Sequence, residues 1–122
     1  MTSPRRVVVV GADAAGMSAA HQAMRTSARR GEALTVTALE SSDHTSYSAC
    51  GIPYWMAGDV DSGDDLGART AVQHRDAGID LRLGTTVVAA DLAGRTVTTS
   101  AGEVLGYDDL VVATGAPAVV PD

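Results

Sequence analysis

The sequence predicts an α/β fold organised around a parallel sheet, and three observations predict it. Val7 to Val10 is a continuous β-branched run, which suits a strand buried on both faces. Gly11 to Gly16 is a turn of small residues that leads into a stretch of good helix formers. Leu34 to Leu39 then supplies a second apolar strand. Strand, helix and strand in that order make a βαβ unit with a right-handed crossover.

Each element has a local reason. The helix is expected from Met17 to about Arg30, with Met17, Ala20, Ala23 and Met24 on one face. Arg25, Arg29 and Arg30 suit its negative C-terminal end, and Gly31 stops it. After Glu40 the chain turns polar, from Ser41 to Ser46. Cys50-Gly51-Ile52-Pro53-Tyr54 is expected to open a short helix ending near Gly58, and Asp59 to Asp65 reads as an acidic loop. Arg69 to Ala77 is expected as a helix and Ile79 to Leu83 as a strand. Val87 to Asp91 and Arg95 to Thr99, split by Ala93-Gly94, read as an added β-hairpin. Leu110 to Ala113 is the last strand.

The totals narrow the function. With 122 residues there is room for one domain at most. A net charge of −6 argues against nucleic-acid or membrane-surface partners, which call for basic patches. One cysteine excludes an internal disulfide and a multi-cysteine metal site, so no metal is expected and one thiol needs a role. Only Val7 to Val10 follow the charged start before Gly11, too short for a signal-peptide core, and no apolar run reaches membrane-spanning length. The expected location is cytoplasmic.

Gly11-Ala12-Asp13-Ala14-Ala15-Gly16 lies between strand and helix, where a Rossmann-like dinucleotide fingerprint belongs. Gly11 permits the tight turn and Gly16 permits close helix–strand packing. A pyrophosphate would rest on the helix N-terminus, where free N–H groups and the helix dipole favour an anion. Asp13 replaces the usual middle glycine, and its carboxylate repels a pyrophosphate unless it turns away or caps a backbone N–H. Glu40 ends the second strand, where an acid binds a ribose hydroxyl of an unphosphorylated adenosine, as in FAD or NAD.

Ser46-Tyr47-Ser48-Ala49-Cys50-Gly51-Ile52-Pro53-Tyr54 resembles the redox motif of the single-cysteine pyridine nucleotide–disulfide oxidoreductases. These are the coenzyme A-disulfide reductases, NADH oxidases and NADH peroxidases. Val10-Gly11 through Ala20 and Val111-Val112-Ala113-Thr114-Gly115-Ala116 are similar to the family's two FAD motifs, so the resemblance covers essentially the whole chain. It implies FAD as cofactor, with NAD(P)H as co-substrate of the full-length enzyme and Cys50 as redox centre. The cofactor-binding residues it implies are Gly11, Asp13, Ala14, Ala15, Gly16, Glu40, Ser41, Val87, Thr114 and Gly115. It also implies that residues 1–122 are an incomplete FAD-binding domain, a truncated product or part of a longer protein. The NAD(P)H domain and the C-terminal homodimerisation domain would lie outside this chain, which alone is expected to be inactive.

A thiolate is the reactive form of cysteine, and Cys50 is expected at a helix N-terminus, which lowers a thiol pKa. A lone redox thiol cycles with an external partner, as a mixed disulfide or as a sulfenic acid. By the resemblance, Gln22, Arg25 and Ser46 match coenzyme A contacts, making coenzyme A or another small-molecule disulfide the expected partner. Ala14 stands where the peroxidases carry a histidine. Against this branch, Ala49 replaces the asparagine that commonly precedes the cysteine, and Arg25 and Gln22 also suit an ordinary helix surface. An oxygen- or peroxide-consuming NADH oxidase therefore stays as the alternative, with a non-catalytic nucleotide-binding fragment beside it. His21 is expected at the surface or partly packed and His74 on an exposed helix; His44 precedes the cysteine loop, where an approach to the flavin or a substrate is the minority reading. Tyr54 and Trp55 are expected to pack near the flavin pocket.

Overall fold

A computed structural model describes residues 3–122. Four parallel strands form the main sheet: β1 (Arg5–Val10), β2 (Leu34–Leu39), β3 (Ile79–Arg82) and β7 (Asp109–Val112), in the order β3-β2-β1-β7. Three antiparallel strands form a second sheet: β4 (Val87–Asp91), β5 (Thr96–Thr99) and β6 (Val104–Gly106), in the order β4-β5-β6. Three helices are described: α1 (Ala14–Arg30), α2 (Ile52–Met56) and α3 (Ala71–Asp76).

The parallel sheet is covered on both faces, as its β-branched first strand predicts. Val7 and Val9 point to α1 and pack with Met17, Ala20, Val36, Ala38, Ile79 and Leu81. Val8 points the other way and packs with Leu39, Val97 and Tyr107 beneath the antiparallel sheet. Register follows from these alternating contacts: Val8 sits beside Thr37 on one side and Leu110 on the other.

Three expectations change. Helix α1 begins at Ala14 rather than Met17, because Ala14, Ala15 and Gly16 already take helical geometry behind the N-cap Asp13. The hairpin gains a third strand, β6, after a turn in which Gly102 N–H donates to Thr99 O. Three residues are too few to show a period-2 pattern. Helix α3 is shorter than expected because Thr70 caps it in a reciprocal capping box with Gln73.

Candidate functional site

The glycine turn sits at the C-terminal ends of the parallel strands. There β1 is flanked by β2 on one side and β7 on the other. That is a topological switch point, the crevice where open α/β sheets receive ligands. Gly11 has φ +102°, and a Cβ there would lie 2.1 Å from Ala113 O and 3.1 Å from Thr114 N. A Cβ on Gly16 would lie 1.8 Å from Gly11 O. Only glycine brings the turn, β7 and the start of α1 this close. Thr114 therefore lies against the turn at Gly11, and Gly115 follows it with φ +65°. The first-turn N–H groups of α1, at Ala14, Ala15 and Gly16, have no carbonyl partner within the helix, which is the arrangement that favours an anion at a helix N-terminus.

Asp13 does not cap α1 with its side chain. Its Oδ1 instead accepts from Tyr47 N–H at 2.8 Å, tying the turn to the cysteine segment. The carboxylate is thus turned towards that segment, which answers the repulsion raised by its place in the fingerprint. Glu40 joins the other side of the turn. Its Oε1 accepts from Ala12 N–H at 2.9 Å, and its Oε2 accepts from the N–H and hydroxyl of Ser42 at 2.9 and 2.8 Å. Burial pushes the Glu40 carboxyl up, but these three hydrogen bonds outweigh it and leave the carboxyl below its usual range. Oε2 has both of its lone-pair sites filled, and Oε1 keeps one for a further donor such as a ribose hydroxyl. Ser41 is exposed beside it, and Val87 is half-buried at the start of β4.

Cys50 is exposed, in a 3-10 turn over Ala49–Gly51 that runs directly into α2. Helix α2 spans only five residues, so the expected dipole is that of a single turn. The segment before it is anchored at several points. Ser46 N–H donates to Ala12 O at 3.1 Å, Ala68 N–H donates to Ser46 O at 2.8 Å, and Ser48 N–H donates to Leu66 O at 2.8 Å. A Cβ on Gly51 would lie 2.6 Å from the Leu66 side chain. These anchors hold Cys50 at the edge of an open cleft of about 770 Å³. Gln22 and Arg25, distant in sequence from Cys50, line the same cleft, as does Ser46 four residues before it. Arg25 Nη2 donates to Gln22 Oε1 at 2.9 Å, so the two form one polar unit on α1.

A second cleft holds Glu40, Ser42, His44 and Trp55, and Asp13 borders both clefts. His44 thus lies on the glutamate side, apart from Cys50. Trp55 packs over Gly63, where a Cβ would lie 2.9 Å from its ring, whereas Tyr54 is exposed and does not pack within this chain. The acidic loop ends in a 3-10 turn capped by Ser62, and among the described residues no cluster of potential metal ligands forms.

His74 corrects the sequence reading. It is fully buried rather than exposed. Its Nε2 lies 2.8 Å from Ser46 Oγ and its Nδ1 lies 2.8 Å from His21 Nε2. Burial lowers the pKa of both imidazoles below the ordinary value, and Arg69 beside them lowers it further. The signal was available in part: His74 follows the partly buried Ala71 at i+3, the spacing of one helix face.

The match to the pyridine nucleotide–disulphide oxidoreductase family extends over residues 5–122. The chain belongs to that family. Its members are FAD-dependent enzymes with NAD(P)H as substrate. An NAD(P)H coenzyme A polysulfide/persulfide reductase from Pyrococcus horikoshii is 33% identical over 118 residues, 96% of this chain and 26% of that protein. An NADH oxidase from Enterococcus faecalis is 32% identical over 121 residues, 95% of this chain and 26% of that protein. The solved NAD-dependent persulfide reductase from A. fulgidus superposes with a TM-score of 0.85 at 31% identity, covering 95% of this chain and 22% of that one. The chain therefore spans about a quarter of the length of these relatives. Among the described residues no helix is long and apolar enough to cross a membrane.

Proposed function

We propose that this chain is the FAD-binding, cysteine-bearing part of an NAD(P)H-dependent reductase of small-molecule disulfides or persulfides, coenzyme A disulfide first among them. The observation that carries this reading is the cleft that gathers Cys50, Gln22, Arg25 and Ser46. Gly11 and Gly16 give a pyrophosphate access to the first turn of α1, and Glu40 is placed for the ribose. Thr114 and Gly115 close the turn from the β7 side. Bound FAD would supply the two-electron link between NAD(P)H and sulfur.

The chain's own chemistry is that of one thiolate. Cys50 attacks a disulfide R–S–S–R, forms Cys50–S–S–R and releases one thiolate. Two electrons and a proton then return Cys50 to its reduced state and release the second thiol. Overall, NAD(P)H and a proton reduce R–S–S–R to two R–SH. Arg25, a fixed cation with bidentate geometry, suits a phosphate on the substrate. In the whole protein a pyridine-nucleotide site and a homodimer interface would come from residues outside this chain.

The NADH oxidase relatives support a second reading, in which Cys50 cycles through a sulfenic acid with oxygen or peroxide. A visible absorption spectrum with added FAD tests the cofactor. A long-wavelength band on reduction, absent in Cys50→Ser, tests the thiol. In a protein carrying the chain together with its pyridine-nucleotide site, NADH consumption that requires coenzyme A disulfide supports the first reading. Consumption that requires only oxygen overturns it in favour of the second. If the isolated chain binds no FAD, it is not a flavoprotein on its own, and the reading is then tested in the whole protein.

A further inference from the structure

The wall of the Cys50 cleft contains a chain of polar groups running from surface to interior: Arg69, His21, His74, Ser46. Ser46 is about nine-tenths buried at 9% exposure, and His74 is wholly buried at 0%. Arg69 Nη1 lies 3.2 Å from His21 Nδ1 and 3.1 Å from His21 Nε2. His21 Nε2 meets His74 Nδ1, and His74 Nε2 meets Ser46 Oγ, each at 2.8 Å.

A guanidinium donates and never accepts, and a neutral imidazole has one donor and one acceptor. These two facts order the protons. If His21 Nδ1 accepts from Arg69, then His21 Nε2–H donates to His74 Nδ1. His74 Nε2–H in turn donates to Ser46 Oγ. His21 Nδ1, His74 Nδ1 and Ser46 Oγ then each accept from one donor, and the single donor–donor contact left is Arg69 Nη1 with His21 Nε2 at 3.1 Å. The reverse order would set His21 Nδ1–H against a guanidinium N–H and crowd two donors onto His21 Nε2. The forward order also has a consequence at Ser46. Its oxygen accepts from His74, so its own hydrogen is left to donate to whatever occupies the cleft.

We propose that His74 is a positioning residue for the Cys50 cleft, fixing Ser46 through its Nε2–H as a hydrogen-bond donor to an anionic sulfur, such as a leaving thiolate, beside Cys50. The proposal rests on Cys50 being the reactive group of the cleft. Protonation leaves His74 Nε2–H in place but adds an Nδ1–H against His21 Nε2–H, two donors 2.8 Å apart, so the pair separates and His74 is drawn away from Ser46. His74 Nδ1–H and His21 Nδ1–H then both need acceptors, and the latter faces Arg69. The other groups around the pair are Arg25 on α1, Arg75 on α3 (held by Leu81 O), Asp13 on the glycine turn, and Tyr47 and Cys50 on the cysteine segment. Among the described residues, no carboxylate forms an ion pair with either ring.

Two measurements on the full chain test this. Long-range ¹H–¹⁵N NMR of the imidazoles reads the tautomers, and we expect Nε2–H on both His21 and His74 at neutral pH. An Nδ1–H tautomer or a charged His74 there would overturn the proposal. The second measurement is the reaction rate of Cys50 with 4,4′-dithiodipyridine across acid to neutral pH, with Cys50→Ser as the blank. His74→Gln keeps an N–H donor to Ser46 but does not titrate, and His74→Phe removes the donor. Wild type should slow by about three- to tenfold more than His74→Gln on acidification, the size of one ordinary intramolecular hydrogen bond. Parallel profiles for wild type and His74→Gln would overturn the proposal. If His74→Phe does not fold, the tautomers and the glutamine variant still decide. Loss of flavin binding or of disulfide-dependent NADH oxidation would sink the proposed function instead, and would leave these two readouts intact.

Discussion

Replacing Gly11 with alanine separates two effects that glycine usually combines. The backbone there has φ +102°, a region that side-chain-bearing residues rarely enter. That conformational strain costs on the order of 1–3 kcal/mol. The added Cβ would also sit 2.1 Å from Ala113 O and 2.6 Å from Ala113 C, both backbone atoms of the segment leaving β7. Relieving that overlap means moving β7 against β1, and overpacking of this kind costs roughly 1–3 kcal/mol. Together the loss is about 2–6 kcal/mol, against a total of roughly 5–15 kcal/mol for a domain of ordinary stability. Gly31 is the control. It has φ +65° at the end of α1, and a Cβ there meets nothing within 4 Å, so Gly31→Ala carries the strain without the clash and should cost about 1 kcal/mol. Urea unfolding followed by far-UV circular dichroism measures both. Gly11→Ala should lower the midpoint by roughly 2 M, and Gly31→Ala by well under 1 M. Flavin titration of the same variants should show weakened FAD binding only for Gly11→Ala. Equal midpoints for the two variants would refute the packing argument at the switch point.

The remaining predictions concern the polar groups around the turn. Asp13→Asn keeps an acceptor for Tyr47 N–H and removes a charge from the pyrophosphate approach. FAD affinity should rise a few-fold at low salt, with the gain shrinking as salt is added, as read by flavin fluorescence quenching. Glu40→Gln presents an amide N–H to one of the three donors now bound by the carboxylate. It should cost about 1 kcal/mol in urea unfolding, kept at the low end because the carboxylate is partly exposed, and should weaken FAD binding more than it weakens the fold. The imidazoles of His21 and His74 have folded pKa values below the unfolded one, so the unfolded chain binds more protons on the acid side of pH 6.5. Their contribution is complete above pH 6.5 and is lost as pH falls below it. The urea midpoint should therefore fall between pH 7.5 and pH 5, with a smaller fall in His74→Gln. A midpoint that rises on acidification over that window would contradict the sign.

What the sequence made legible was local. Val7 to Val10, the glycine turn, the arginines ending α1 and the strand up to Leu39 each carry their reason within a few neighbours, and the structure keeps them with ends moved by a few residues. The cysteine motif was legible for the same reason. What was hidden depends on pairing across the chain. Strand β6 has three residues and is a strand because β5 binds it. Asp13 reads as a fault in the fingerprint until Tyr47, far along the chain, supplies an N–H for its carboxylate.

His74 shows the limit most sharply. In a short helix with one capping box, a histidine reads as a surface residue, because burying an imidazole without partners is costly. The cost is met by Ser46 and His21, each from a different element, and neither has any sequence relation to His74 that a periodicity would reveal. The cleft gathers its residues in the same way. Cys50 is set by its own motif, but the groups that decide what the sulfur meets come from α1, from the segment before α2 and from α3. A sequence motif therefore identifies the reactive atom earlier than it identifies the environment that tunes that atom. On the proposal above, His74 and its partners in the cleft wall are where differences between relatives of different acceptor should be read.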